Sequence, residues 1–388
     1  MKGKFLDKLN SKCNFTKFRS LIKLVKSEKS SQEFITSQKE IVPLHFSSTA
    51  NYSLYSPTMC AYLAHKFGSF AVAVNDYATL SYANEFVKAC KILKIPYALG
   101  YHIDCKPLFK EKSAVLYGYG ASYKGGISLD SELLSFRKQR KDEVLKKLNK
   151  INTILKQYGL TIPEKEVSKK ELFTEKHIAK KLAKVLIDKF GKDEELLAFL
   201  SNSLGIKSCE GDLRFLKEQQ NSYFVEDLAK VLYLKYPPFQ ARSIKNDVDG
   251  LVKLNEKYGV ISSYKLKLEK FDSVEFEFIA NTLINHNIYC ITLTKDLLSD
   301  EDLDKTINFF MERGILVVSH YRLGLPRQHM PIVEESYKLF INALVVIGNS
   351  ISVSINVDDG FYGKNTKKLC PDYKKRVEIF SNIGRRGK

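Results

Sequence analysis

Arg322 and Arg327 stand on either side of Gly324 and Pro326, just beyond the apolar string Gly314-Ile315-Leu316-Val317-Val318-Ser319. Two guanidinium forks on a loop at a strand end can grip a phosphate through paired N–H donors with no metal present, although two solvated loop arginines would give the same spacing. Other common chemistries lack their residues. There is no G-x-S-x-G elbow, and Gly118-Tyr119-Gly120 and Gly125-Gly126 do not sit between strand and helix as a phosphate loop requires. The seven cysteines (Cys13, Cys60, Cys90, Cys105, Cys209, Cys290 and Cys370) are scattered and never form C-x-x-C, which argues against a zinc ribbon or a disulfide framework.

The formal net charge of +18 creates a field that attracts nucleic acid, nucleotides or an anionic membrane surface. The lysines are spread along the chain, so solvated faces would account for them equally well. With 388 residues, 44% hydrophobic and 27% charged, the chain suits one large or two smaller folded domains. No apolar run reaches the length of a spanning helix, and the basic first residues lead into no apolar signal core, so a cytoplasmic protein is expected.

The hydrophobic texture indicates what must position any such groups. Residues 1–40 form a basic arm in which Phe15, Phe18, Leu21, Ile22 and Val25 share one face of a short helix, suited to a membrane, a partner or the edge of the core. From residue 41 compact apolar strings (Ile41–His45, Phe70–Val74, Tyr97–Tyr101) alternate with helical stretches (Thr58–Phe67, Asn84–Leu93). This alternation predicts βα units on a parallel sheet. Residues 129–239 read as helical, with Val144, Leu148, Ile151 and Leu155 on a stripe stopped by Gly159, and Ile178, Leu182, Val185 and Leu186 on one stopped by Gly191. The alternation returns in helices Asp247–Lys257, Glu275–Asn285 and Asp300–Glu312 and strands Gly259–Ser263, Ile288–Leu293 and Gly314–Ser319. The expected organisation is a first barrel segment at 41–128, a helical insertion at 129–239, a second barrel segment at 240–362 and a basic tail at 363–388.

Several segments also carry a family resemblance. Pro43-Leu44-His45-Phe46-Ser47-Ser48 resembles the D-L-H-x-H-S/T opening of the polymerase-and-histidinol-phosphatase (PHP) family of phosphoesterases. Val72–Ser81 is similar to that family's A-I-T-D-H-D-T-L-S segment, Leu99–Ile103 to P-G-V-E-I, Val115–Gly120 to L-L-G-Y-G, and Lys176-His177-Ile178-Ala179 to the R-P-H-I-A of an insertion. The resemblance runs over most of residues 41–350. It implies an α/β fold, a PHP-like (distorted TIM-type) barrel with a helical insertion, with chemistry at the C-terminal strand ends. It also implies imidazoles and carboxylates holding two or three metal ions around a nucleophilic water.

At the matched positions His45, Asp76 and His102 remain as candidate metal ligands. Ser47 replaces the second histidine of H-x-H, Tyr77 and Ala78 replace a His-Asp pair, and Tyr264 and Thr292 stand at a later histidine and glutamate. The closing G-S-D-x-H falls on Ser319-His320-Tyr321-Arg322, making His320 a further candidate, or in another register on Asp358-Asp359-Gly360. Several cations a few ångströms apart need several anionic ligands, and the matched set supplies one clear carboxylate, Asp76. The resemblance thus implies a degenerate phosphoesterase-like protein with no metal cofactor, binding a phosphorylated ligand, nucleic acid or a protein partner. The alternative is an active phosphoesterase on nucleotides, oligonucleotides or phosphomonoesters, with His45, Asp76 and His102 holding one manganese, zinc or magnesium ion. A third reading gives the basic arm and the lysine-rich insertion a nucleic-acid-associated role.

Overall fold

In the computed structural model the described residues are 2–29, 48, 55–66, 72–95, 97–111, 114–121, 123–164, 174–192, 194–206, 224–240, 246–294 and 300–320. Along the chain they form α1 (Lys2–Asp7), α2 (Asn14–Lys29), α3 (Pro57–Lys66), β1 (Val72–Tyr77), α4 (Ala83–Leu93), β2 (Tyr97–Cys105), β3 (Ala114–Ala121) and α5 (Tyr123–Lys156). There follow α6 (Glu175–Phe190), α7 (Glu194–Ala198), α8 (Phe224–Lys235), α9 (Pro237–Gln240), α10 (Val248–Lys257), β4 (Ile261–Leu266), α11 (Ser273–Asn285), β5 (Cys290–Thr294), α12 (Asp300–Glu312) and β6 (Leu316–His320). Two compact units result: Met1–Leu133 with Ile244–Lys388, and Leu134–Ser243. Among the described residues no helix is long and apolar enough to cross a membrane.

Local chemistry sets the helix starts. The Asp247 carboxylate accepts the Gly250 amide at the head of α10, and Asp272 accepts the Val274 and Glu275 amides at the head of α11. Ser56 caps α3 through the Met59 amide at 3.1 Å, with Pro57 in the first turn where no donor is needed.

The first unit is built on a six-stranded sheet in the order β1-β2-β3-β4-β5-β6. β1 and β2 are parallel, as are β4, β5 and β6, but β3 runs antiparallel to both of its neighbours. The expectation of a parallel sheet is corrected at this strand. Residues 106–113 are too few to carry a crossover, so the chain must turn back on itself. Among the described residues no pairing joins β6 to β1.

Gly100 is what allows β2 and β3 to close up. A Cβ there would meet the Gly118 carbonyl oxygen at 2.8 Å and Asn75 Nδ2 at 2.9 Å. Gly100→Ala is therefore expected to destabilise the protein by about 1–3 kcal/mol, because the nearer clash is with backbone that cannot swing aside. Denaturant unfolding with an unchanged m-value would check it.

The helices of the arm pack on this unit. Leu9, Leu21 and Leu24 are buried, Ser56 Oγ donates to the Leu9 carbonyl at 2.6 Å, and Lys17 Nζ meets Glu85 of α4 at 2.6 Å. Of the roles considered for the arm, docking on the core is the one α2 fills, but through Lys17, Ser20, Leu21 and Leu24, and the expected single stripe is corrected because Phe15 and Ile22 are exposed. The second unit has its own core, in which Val144, Leu148, Ile151 and Leu155 of α5 join Ile178, Leu182 and Leu186 of α6 and Leu228 and Leu232 of α8. Gly159 and Gly191, both at positive φ, stand beyond the ends of α5 and α6.

Candidate functional site

Register decides which side chains share a face of the sheet, since paired residues project to one side and chain neighbours to opposite sides. His102 is opposite Tyr77 on β1 and Tyr117 on β3, Gly100 is opposite Asn75 and Tyr119, and Tyr117 is opposite Ser263 on β4. Ser263 and Thr292 of β5 touch through their hydroxyls at 2.8 Å. Asn75, Tyr77, His102, Tyr117, Tyr119, Ser263 and Thr292 therefore occupy one face, which we call the tyrosine face.

The opposite face belongs to the helices. Asp76 is opposite Tyr101, and Tyr264 opposite Leu116. The Tyr101 hydroxyl bonds Asn255 of α10, and Tyr264 accepts the Leu108 amide at 3.0 Å and packs edge-on against Phe109, whose ring in turn meets Phe278 of α11. Asp76 is fully buried. Its Oδ1 accepts the Ser48 amide at 2.7 Å, and its Oδ2 accepts a short hydrogen bond from the Ser48 hydroxyl. Burial pushes the Asp76 carboxyl up to about 7, with the two Ser48 bonds pulling the other way.

On the tyrosine face, His102 Nδ1 lies 3.2 Å from the Asn75 carbonyl oxygen and 3.0 Å from Asn75 Oδ1. Both oxygens are acceptors, so Nδ1 is placed to donate a proton to them. The imidazole meets Tyr77 edge-on at 5.6 Å and Tyr117 at 5.8 Å, and Tyr117 stacks on Tyr119 at 5.9 Å. Burial pushes the phenols of Tyr117 and Tyr119 above their usual range, so they stay protonated donors at neutral pH. One buried donor, Asn75 Nδ2, has no hydrogen-bond partner among the described residues, while the buried Tyr119 hydroxyl interacts with Thr292. Such an orphan is costly unless something with acceptor atoms meets it.

Of the candidate metal ligands, Asp76 and His102 are thus on adjacent strands but on opposite faces. His320 closes β6 in register with Thr294. His45, Arg322, Arg327 and Asp358-Asp359-Gly360 lie outside the described residues. Among the described residues no group of three or more His, Cys, Asp or Glu side chains is arranged to hold a metal ion. Asn75, Tyr117, Tyr119 and Ser263 went unnoticed as site residues in the sequence. The alternation Asn75/Tyr77 and Tyr117/Tyr119 was the signal that could have found them.

No family model matches the chain, and no curated protein matches it in sequence. Among solved structures, a proposed metal-dependent phosphoesterase from Bifidobacterium adolescentis is similar at 12% identity and a TM-score of 0.49, over 79% of this chain and 96% of its own. An amidohydrolase from Chromobacterium violaceum is similar at 14% identity and a TM-score of 0.47, over 71% of this chain and 84% of its own.

Proposed function

We propose that this chain is a PHP-like phosphoesterase-type barrel protein that binds a phosphate-bearing ligand without hydrolysing it at a multinuclear metal centre. The observation that carries this reading is the division of Asp76 and His102 between the two faces of the sheet, with both Asp76 oxygens bonded to Ser48. A carboxylate used in this way holds a chain segment in place and is not open to a shared cation. The tyrosine face supplies what a phosphoryl group needs, because its oxygens accept hydrogen bonds, Asn75 Nδ2 is a donor that lacks an acceptor among the described residues, and the hydroxyls of Tyr117 and Tyr119 stay protonated beside it. The net charge of +18 draws anions toward the protein.

Calorimetric titration of the full chain with inorganic phosphate, a mononucleotide and a short oligonucleotide tests this, alongside phosphate release with manganese, zinc or magnesium. Binding is expected to weaken about tenfold or more in Asn75→Asp, which loses the donor and adds like charge, and to persist in Asp76→Asn. The mononucleotide and oligonucleotide arms separate a small ligand from a nucleic-acid backbone. Two or more ions per chain together with turnover that Asp76→Asn abolishes would overturn the reading.

A further inference from the structure

We propose that the outward face of α2 is a docking surface for an anionic phospholipid bilayer. The helix is held by its inner face, where Ser20, Leu21 and Leu24 are buried, Lys17 pairs with Glu85 and Lys88 lies over the Phe18 ring at 4.6 Å. That attachment fixes which residues look outward. Phe15, Arg19, Ile22 and Lys26 follow one another at spacings of four, three and four, a single stripe on the opposite side of the helix.

Phe15 is 71% exposed and Ile22 41%, which is unusual for large apolar groups on a helix whose other face already packs on the core. Around them Lys12, Arg19, Lys23 and Lys26 are exposed, and no Asp or Glu occurs from Lys8 to Ser27. Lys23 also reaches over the Phe5 ring at 5.1 Å, so its charge stays beside the stripe.

Apolar anchors ringed by cations match an anionic lipid surface, where the anchors enter the headgroup boundary and the cations meet lipid phosphates and carboxylates. A nucleic-acid backbone would satisfy the cations but leave Ile22 nothing to bury against. The surface is separate from the tyrosine face and does not depend on the ligand proposed there.

The test is co-sedimentation of the full chain with vesicles of phosphatidylcholine alone or mixed with phosphatidylserine. Binding to the mixed vesicles is expected, falling as salt rises, with little binding to phosphatidylcholine alone. The double variant Phe15→Ala/Ile22→Ala is expected to partition about tenfold less, as is Arg19→Gln/Lys26→Gln, both with the wild-type thermal midpoint because the sites are exposed. The proposal is overturned by equal binding to both vesicle types, by no binding to the anionic ones, or by an apolar double variant that binds like wild type. It is also overturned if the variants lose affinity for an oligonucleotide while keeping it for vesicles.

Discussion

Asp76→Ala is expected to lower stability by about 2–4 kcal/mol at neutral pH, whereas Asp76→Asn is expected to be close to neutral or stabilising there. Alanine leaves the Ser48 amide and hydroxyl buried without their partner, and each such orphan costs about 1–3 kcal/mol. Asparagine keeps an oxygen for the amide and can donate to the hydroxyl, with no charge to bury.

The pH dependence makes the contrast sharper. Burial raises the Asp76 carboxyl from its ordinary 3.8 to about 7, so the folded protein holds this proton more tightly than the unfolded chain does. Its stabilising contribution is whole below about pH 4 and is lost as pH rises toward and through 7. Relative to Asp76→Asn, the wild type should lose at most about 1.4 kcal/mol per pH unit across that window, and the difference should level off above it. Denaturant midpoints of the two proteins over a pH series give this directly. A divalent cation on Asp76 would reverse the trend, since it would keep the carboxylate ionised and move the loss to the acid side. Asp76→Asn would then be the less stable protein at neutral pH, and a chelator would bring the wild type down to it.

Asp76 also marks the limit of what the sequence revealed. Helix positions were readable where periodicity and stop signals agreed. Asp300–Glu312 forms the helix that its pattern predicts, and Gly159 and Gly191 stand just past the ends of α5 and α6. The start of α5 was not readable, because the helical pattern was expected from residue 129, whereas the helix begins at Tyr123 and takes in Gly125 and Gly126. Nor was the direction of β3, which depends on the short connection at 106–113 and on no property of the strand's own residues. A motif match fixes position along the chain but leaves the face open, and in a strand one residue of offset exchanges the faces. Asp76 and Tyr264, both at matched positions, project to the helices, while their neighbours Asn75 and Ser263 project to the tyrosine face.

Glu175→Gln is expected to destabilise the helical unit by about 3–5 kcal/mol, the cost of removing one partner from a buried ion group. Glu175 Oε2 accepts from Arg140 Nη2 at 2.8 Å and Oε1 from Lys147 Nζ at 2.7 Å, with all three side chains largely out of water. Burial by itself would raise the Glu175 carboxyl, but the Arg140 and Lys147 charges outweigh it and hold it below its ordinary 4.5. The sign is therefore opposite to that of Asp76. This contribution is present above about pH 4.5 and is lost as pH falls below it. Amide exchange within α6 should show the variant opening more readily than wild type at neutral pH, with the gap narrowing in acid. If the cost comes from stranded charge, the triple variant Glu175→Gln/Arg140→Met/Lys147→Met should recover much of it, since apolar groups of similar volume leave no cation buried. A triple variant no more stable than Glu175→Gln would instead assign the loss to the negative charge that Glu175 places in the first turn of α6, where it favours the helix.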